Sequence, residues 1–96
     1  MVAVIATFTV AEGQASAFEA IARNLVEETR ANEPGVRLYT LTRSKRQANQ
    51  FKMIELYDGK DDFKAHGASA WFQTAFAAMK TLLAEDPVIE ILDPII

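Results

Sequence analysis

Residues 36–57 read VRLYTLTR-SKRQANQ-FKMIELY. Val36 to Arg43 and Phe51 to Tyr57 are rich in β-branched and aromatic residues, and the polar stretch Ser44 to Gln50 separates them. The segment therefore reads as two strands joined by a longish hairpin connection, with Asp58-Gly59 closing the second strand. Upstream, Pro34-Gly35 marks a stop, because proline cannot continue a helix and disfavours the αR region at the residue before it. What stops there is a helix that begins after Glu12-Gly13 and runs to about Asn32. Its apolar stripe is Phe18, Ile21, Ala22, Leu25 and Val26, while Glu19, Arg23, Glu27, Glu28 and Arg30 lie largely off it. Before that helix, Val2 to Val10 alternates with a period of two and predicts a strand.

Downstream of the hairpin, a short helical turn is expected over Asp61 to His66. A longer helix follows from about Ser69, a suitable N-cap, to Ala84. Phe72, Ala75, Phe76, Met79, Leu82 and Leu83 form its wide apolar stripe. Asp86-Pro87 ends it, Val88 to Leu92 predicts a last strand, and an apolar tail closes the chain at Ile95-Ile96. The order β-α-β-β-α-β defines an α+β, ferredoxin-like fold: a four-stranded antiparallel sheet with helices on one face. The strands are nevertheless apolar on both faces, as in Val4 and Phe8 against Ile5, or Met53 and Tyr57 against Ile54 and Leu56. A sheet with one wet face shows a cleaner alternation, and so large an apolar patch needs a cover. A second copy is the simplest one, which predicts a homodimer formed through the sheet face.

Ninety-six residues make one domain, 1–96, with 50% hydrophobic and 24% charged residues. The net charge is −3 and no Lys/Arg stripe runs along a predicted helix, which argues against nucleic-acid binding. No apolar stretch is long enough to span a bilayer, and the N-terminus lacks a basic leader region. There is no cysteine, so disulfides and thiolate chemistry are excluded and a cytoplasmic location is expected.

Any imidazole chemistry must come from His66, the one histidine. Its ordinary pKa suits a base or a hydrogen-bond donor near neutrality; the alternative is a structural bond to a backbone group. Glu55 lies inside an otherwise apolar strand. Pairing with Arg37, with Arg43 or across a dimer interface is the favoured reading, and a pocket carboxylate with a shifted pKa is the other. Phe63, Trp71, Phe72 and Phe76 cluster near His66, mostly as core, with Trp71 offset as a wall that could stack on a flat substrate. Phe8, Tyr39, Met53 and Tyr57 are candidates for the same cavity, although the sequence leaves open which alternation faces the helices. Arg43-Ser-Lys-Arg46 reads as a solvated turn. One histidine without cysteine does not make a transition-metal cluster, so no metal and no cofactor are expected.

Several stretches in order along the chain resemble the antibiotic biosynthesis monooxygenase superfamily. They are Val10-Ala-Glu-Gly13, Thr29-Arg-Ala-Asn-Glu-Pro-Gly35, Tyr39, Ile54-Glu-Leu-Tyr-Asp58 and His66-Gly-Ala-Ser-Ala-Trp-Phe72. The quinol-oxidising and autoinducer-processing members are the nearest in pattern, and the Glu-Pro-Gly turn and the His-x-x-Ser-x-x-Phe segment are the most specific pieces. The resemblance implies a dimeric α/β barrel with a pocket between sheet and helices in each protomer. The activities it implies are cofactor-independent oxygenation of quinols or polycyclic phenols, haem degradation, and isomerisation of a small phosphorylated sugar derivative. Many members carry a second histidine where this chain has Trp71, and a tryptophan where it has Tyr57. The haem-degrading branch would place its axial histidine at Phe76 and an asparagine near Ala6, and neither is present. The expected activity is thus monooxygenation of a small quinol-like or electron-rich aromatic. Catalysis would fall to His66, with Trp71, Phe72, Phe76, Phe63, Tyr39, Tyr57, Glu55 and Phe8 at the substrate. Isomerisation of a small carbonyl compound and non-enzymatic ligand binding are the alternatives.

Overall fold

The computed structural model describes residues 1–96. Its elements are β1 (Val2–Thr9), α1 (Ala15–Asn32), β2 (Val36–Arg43), β3 (Gln50–Tyr57), α2 (Lys60–Ala68), α3 (Ala70–Lys80) and β4 (Val88–Leu92). The strands form one antiparallel sheet in the order β2-β3-β1-β4. This is the ferredoxin-like arrangement the alternation pattern predicts. No helix is long and apolar enough to cross a membrane.

The register decides which alternation faces the helices. Val4 lies opposite Glu55, Ala6 opposite Met53 and Phe8 opposite Phe51, while Tyr39 lies opposite Glu55 on the other side of β3. All of these are buried. From α1, the predicted stripe supplies Phe18, Ala22, Leu25 and Val26, and the Phe18 ring sits 5.3 Å from Phe8 and 5.0 Å from Phe51. Burial of such aromatic side chains contributes on the order of 2 kcal/mol each, and it is this layer that holds α1 on the sheet.

Two boundaries differ from the periodicity. The expected turn at Asp61–His66 is a nine-residue helix, α2, with Asp61 and Asp62 in its first turn, where negative charge favours a helix N-terminus. The longer helix expected from Ser69, α3, ends at Lys80 rather than Ala84. Residues 82–84 instead give their backbone groups to the end of β1: Ala11 N–H donates to Leu82 O, and Ala84 N–H donates to Thr9 O, both at 2.8 Å. Apolar spacing alone continued the helix there; a tertiary backbone pairing stopped it. Ser69 separates α2 from α3 and serves both. Its hydroxyl donates to His66 O at 2.7 Å and accepts from Phe72 N–H at 3.3 Å.

The helices leave much of the sheet open. On the outer face Leu38, Val88 and Leu92 are exposed, with Ile5, Ile54 and Leu56 only partly covered. On β4 even the helix-side residues Ile89 and Ile91 are 48% and 61% exposed.

The connection from α1 to β2 positions the site. Pro34 holds Glu33 in an extended conformation (φ −123°, ψ 88°), and Val36 N–H closes a turn onto Glu33 O at 3.1 Å. Gly35 is needed for close approach: a Cβ there would lie 2.0 Å from Asp62 Oδ1 and 2.4 Å from its Cγ. Gly35→Ala is therefore expected to destabilise the protein by about 1–3 kcal/mol. Asp62→Ala in the same chain should recover most of that loss in a urea-unfolding double-mutant cycle.

Candidate active site

Between sheet and helices lies a largely apolar cavity of about 340 Å³. Phe8, Tyr39, Met53 and Glu55 form its sheet side. Phe63 and His66 enter from α2, and Phe72 and Phe76 from α3. The Phe72 ring lies 4.9 Å from the His66 ring and stacks on Phe76 at 5.2 Å with a 17° interplanar angle, while Tyr39 lies 4.9 Å from His66 on the sheet side. Lys64, on the exposed side of α2, is the cavity's one basic side chain other than the histidine.

His66 is 2% exposed. Its Nδ1 is 2.9 Å from Glu33 Oε2 and 3.1 Å from Oε1, and Trp71 Nε1–H donates to the same Glu33 Oε2 at 2.6 Å. A carboxylate accepting at Nδ1 fixes the hydrogen there, so the neutral ring keeps its lone pair at Nε2. Nε2 is buried and has no hydrogen-bond partner. A polar atom left so costs about 1–3 kcal/mol, which a ligand hydroxyl would recover. This is the arrangement of an oriented base: a carboxylate sets the tautomer and supports the positive charge formed when Nε2 takes a proton.

Glu55 pairs with neither of the arginines that the sequence offers: Arg37 pairs with Asp58, and Arg43 with Glu19 at 3.2 Å. It is 7% exposed on the helix side of β3 and accepts one hydrogen bond, from Tyr57 Oη at 2.5 Å. Burial pushes its carboxyl up to about 7, with the Tyr57 hydroxyl pulling the other way and Glu33 adding to the rise. Burial likewise raises the Tyr39 and Tyr57 phenols, with Glu55 as the next cause for each, so both stay neutral.

Two other sequence candidates stand outside the cavity. Trp71 is absent from its lining, for a reason of helical phase: Phe72, Phe76 and Met79 face the cavity, whereas Trp71, Ala75 and Ala78 face a groove between α1 and α3. The indole acts on the site through Glu33 instead. Tyr57 is fully buried behind the lining, 5.7 Å from the His66 ring and 5.3 Å from Phe63, and acts through Glu55. Sequence reasoning missed Glu33, which entered only as part of a turn. The available signal was a carboxylate directly before Pro-Gly, forced out of the helix at the edge of the sheet. No group of three His, Cys, Asp or Glu side chains converges to hold a metal.

Fold and site together define a small α+β protein with a histidine-bearing aromatic cavity. The chain belongs to the antibiotic biosynthesis monooxygenase family, whose sequence model matches residues 1–78. A Caulobacter crescentus protein, provisionally named an antibiotic biosynthesis monooxygenase, is 41% identical over 98% of this chain and 89% of its own, with a TM-score of 0.94. The Mycobacterium tuberculosis protein Rv0793 is 28% identical, over 98% of this chain and 94% of that one, with a TM-score of 0.91. A Nitrosomonas europaea structure covers 100% of both chains at a TM-score of 0.95; at 23% identity it speaks to the fold alone. No curated protein gives a significant match.

The Glu55 carboxyl sets a pH dependence. Its folded pKa of about 7 lies above the ordinary 4.5, so between these values the native state binds more protons than the unfolded chain. Stability from this group is complete below about pH 4.5, falls as pH rises towards 7 and is level above, a loss of roughly 3 kcal/mol. Urea unfolding across that range should show a downward slope in the wild-type chain that is shallower in Glu55→Gln.

Proposed function

We propose that the protein is a cofactor-independent monooxygenase of a small quinol-like or other electron-rich aromatic, working as a homodimer. The observation that carries this reading is the Glu33-oriented His66, which lines an aromatic-walled cavity and whose Nε2 has no protein partner. Membership of the monooxygenase family supports it. A cofactor-free oxygenase must draw its electrons from the substrate. His66 Nε2 takes a phenolic proton, and Glu33 supports the imidazolium through Nδ1–H. The electron-rich phenolate then reduces dioxygen and forms a carbon–oxygen bond to it at a ring carbon. The imidazolium protonates the peroxide. Loss of the ring C–H proton to His66 drives cleavage of the O–O bond, and the departing hydroxide takes that proton to become water. A quinol and dioxygen thus give a hydroxyquinone and water, and the enzyme ends as it began. The same base could serve an isomerisation, but only the oxygenase consumes oxygen in step with product.

Oxygen uptake with a panel of hydroquinones should exceed the protein-free rate, and His66→Ala should lower it by about 100-fold or more. Uptake no faster with protein than without it, across the panel, would overturn the reading.

The open outer face supports the dimer: Leu38, Ile54, Leu56, Val88 and Leu92 form an apolar surface that a second copy would cover. Light scattering should give twice the chain mass, and Leu56→Glu should shift the protein towards the monomer. A wild-type chain that stays monomeric at micromolar concentration rules the dimer out.

A further inference from the structure

Gly67 lines the cavity from within α2, and neither its backbone nor its packing requires a glycine. Glycine weakens a helix interior more than any residue but proline, and α2 has only nine residues with which to hold His66. Elsewhere the reason for a glycine is plain: Gly13 has a φ of 81°, and a Cβ at Gly35 would strike Asp62. Gly67 has no positive φ, and a Cβ there would meet no packed neighbour within 4 Å. What the glycine provides is the space itself.

Phe63, His66 and Gly67 stand at i, i+3 and i+4 on one face of α2, and all three line the cavity. His66 is buried, Gly67 is half-buried, and Lys64, one turn before Gly67, is exposed. Lys64 and Gly67, both in the lining, therefore stand at the rim where the cavity meets solvent, with His66 next inward. Phe72 and Phe76 of α3, both half-buried, line the cavity from the neighbouring helix. The Gln73 amide joins the two helices at this rim by donating to Gly67 O at 2.6 Å. A passage beside Ile89 of β4, another exposed lining residue, would gain nothing from a glycine in α2.

We infer that Gly67 is the entrance to the cavity: the missing side chain leaves a passage beside α2, and the size of residue 67 limits the size of molecule that reaches His66. The inference takes the cavity as the substrate site, as proposed above, and assigns the residue that controls access to it.

The chain has no cysteine, so one can be placed in the cavity as a reporter. Met53→Cys puts a thiol on the sheet side, where Met53 is 1% exposed. Its reaction with methyl methanethiosulfonate and with the bulkier benzyl methanethiosulfonate is followed by mass spectrometry. Global unfolding would expose the thiol to both reagents alike, so the benzyl-to-methyl rate ratio reports passage through the folded protein. Gly67→Leu should lower that ratio by about tenfold. Gly67→Ala should leave it unchanged, because a Cβ fits the open space, and so should Ile89→Phe on β4. Ala6→Cys, opposite Met53 in the sheet register, carries the same test if Met53→Cys does not fold. An unchanged ratio in Gly67→Leu, a larger fall in Ile89→Phe, or a thiol that neither reagent reaches in the folded chain overturns the inference. No substrate is needed, so the result stands apart from oxygen uptake: an entrance at Gly67 without uptake would refute the monooxygenase alone.

Discussion

The carboxylate of Glu33 is the contact on which the site depends. It accepts from His66 Nδ1 of α2 and from the Trp71 indole of α3, while its own backbone ends α1. One side chain therefore ties three helices together. Its placement follows from local chemistry: Pro34 denies the residue before it a helical conformation, and Gly35 lets the chain pass Asp62 closely enough to enter β2. Ser69 completes the frame by bonding His66 on one side and Phe72 on the other, so the base and the ring packed on it are held by the same hydroxyl.

The two carboxyls of the site show how environment separates like groups. Glu33 meets two N–H donors, from the His66 ring and the Trp71 indole. Glu55 meets one phenol and no cation, and burial raises its pKa towards neutrality. Placing two glutamates in different surroundings yields an acceptor-supported base on the helix wall and a titrating group on the sheet wall. The Tyr39, His66, Phe72 and Phe76 rings pack in succession at about 5 Å and give the site its aromatic wall.

Much of the fold was legible in the chain. The period-two segments at Val2–Val10, Val36–Arg43 and Val88–Leu92 and the α1 stripe at Phe18, Ala22, Leu25 and Val26 are local patterns, set by which side chains must leave water together. The end of α3 was not legible, because Leu82 and Leu83 continue its apolar spacing while their backbone pairs with the end of β1. Within the site, His66 and the rings of Phe63, Phe72 and Phe76 could be singled out by type and spacing. Trp71 and Tyr57 were also singled out, yet both act one residue away from the cavity, through Glu33 and Glu55.

By itself the sequence determined the element order, the ferredoxin-like topology and the identity of the one imidazole. Each follows from hydrophobic periodicity or from the presence of a residue type. Tertiary structure alone decided which strand face meets the helices, which carboxylate orients the histidine and which is left without a cation. Glu33 and His66 are far apart along the chain, and Glu55 owes its raised proton affinity first to burial and then to Glu33 at the end of another element. Such properties belong to the packing of several elements, because burial and hydrogen-bond partners do not exist until those elements meet.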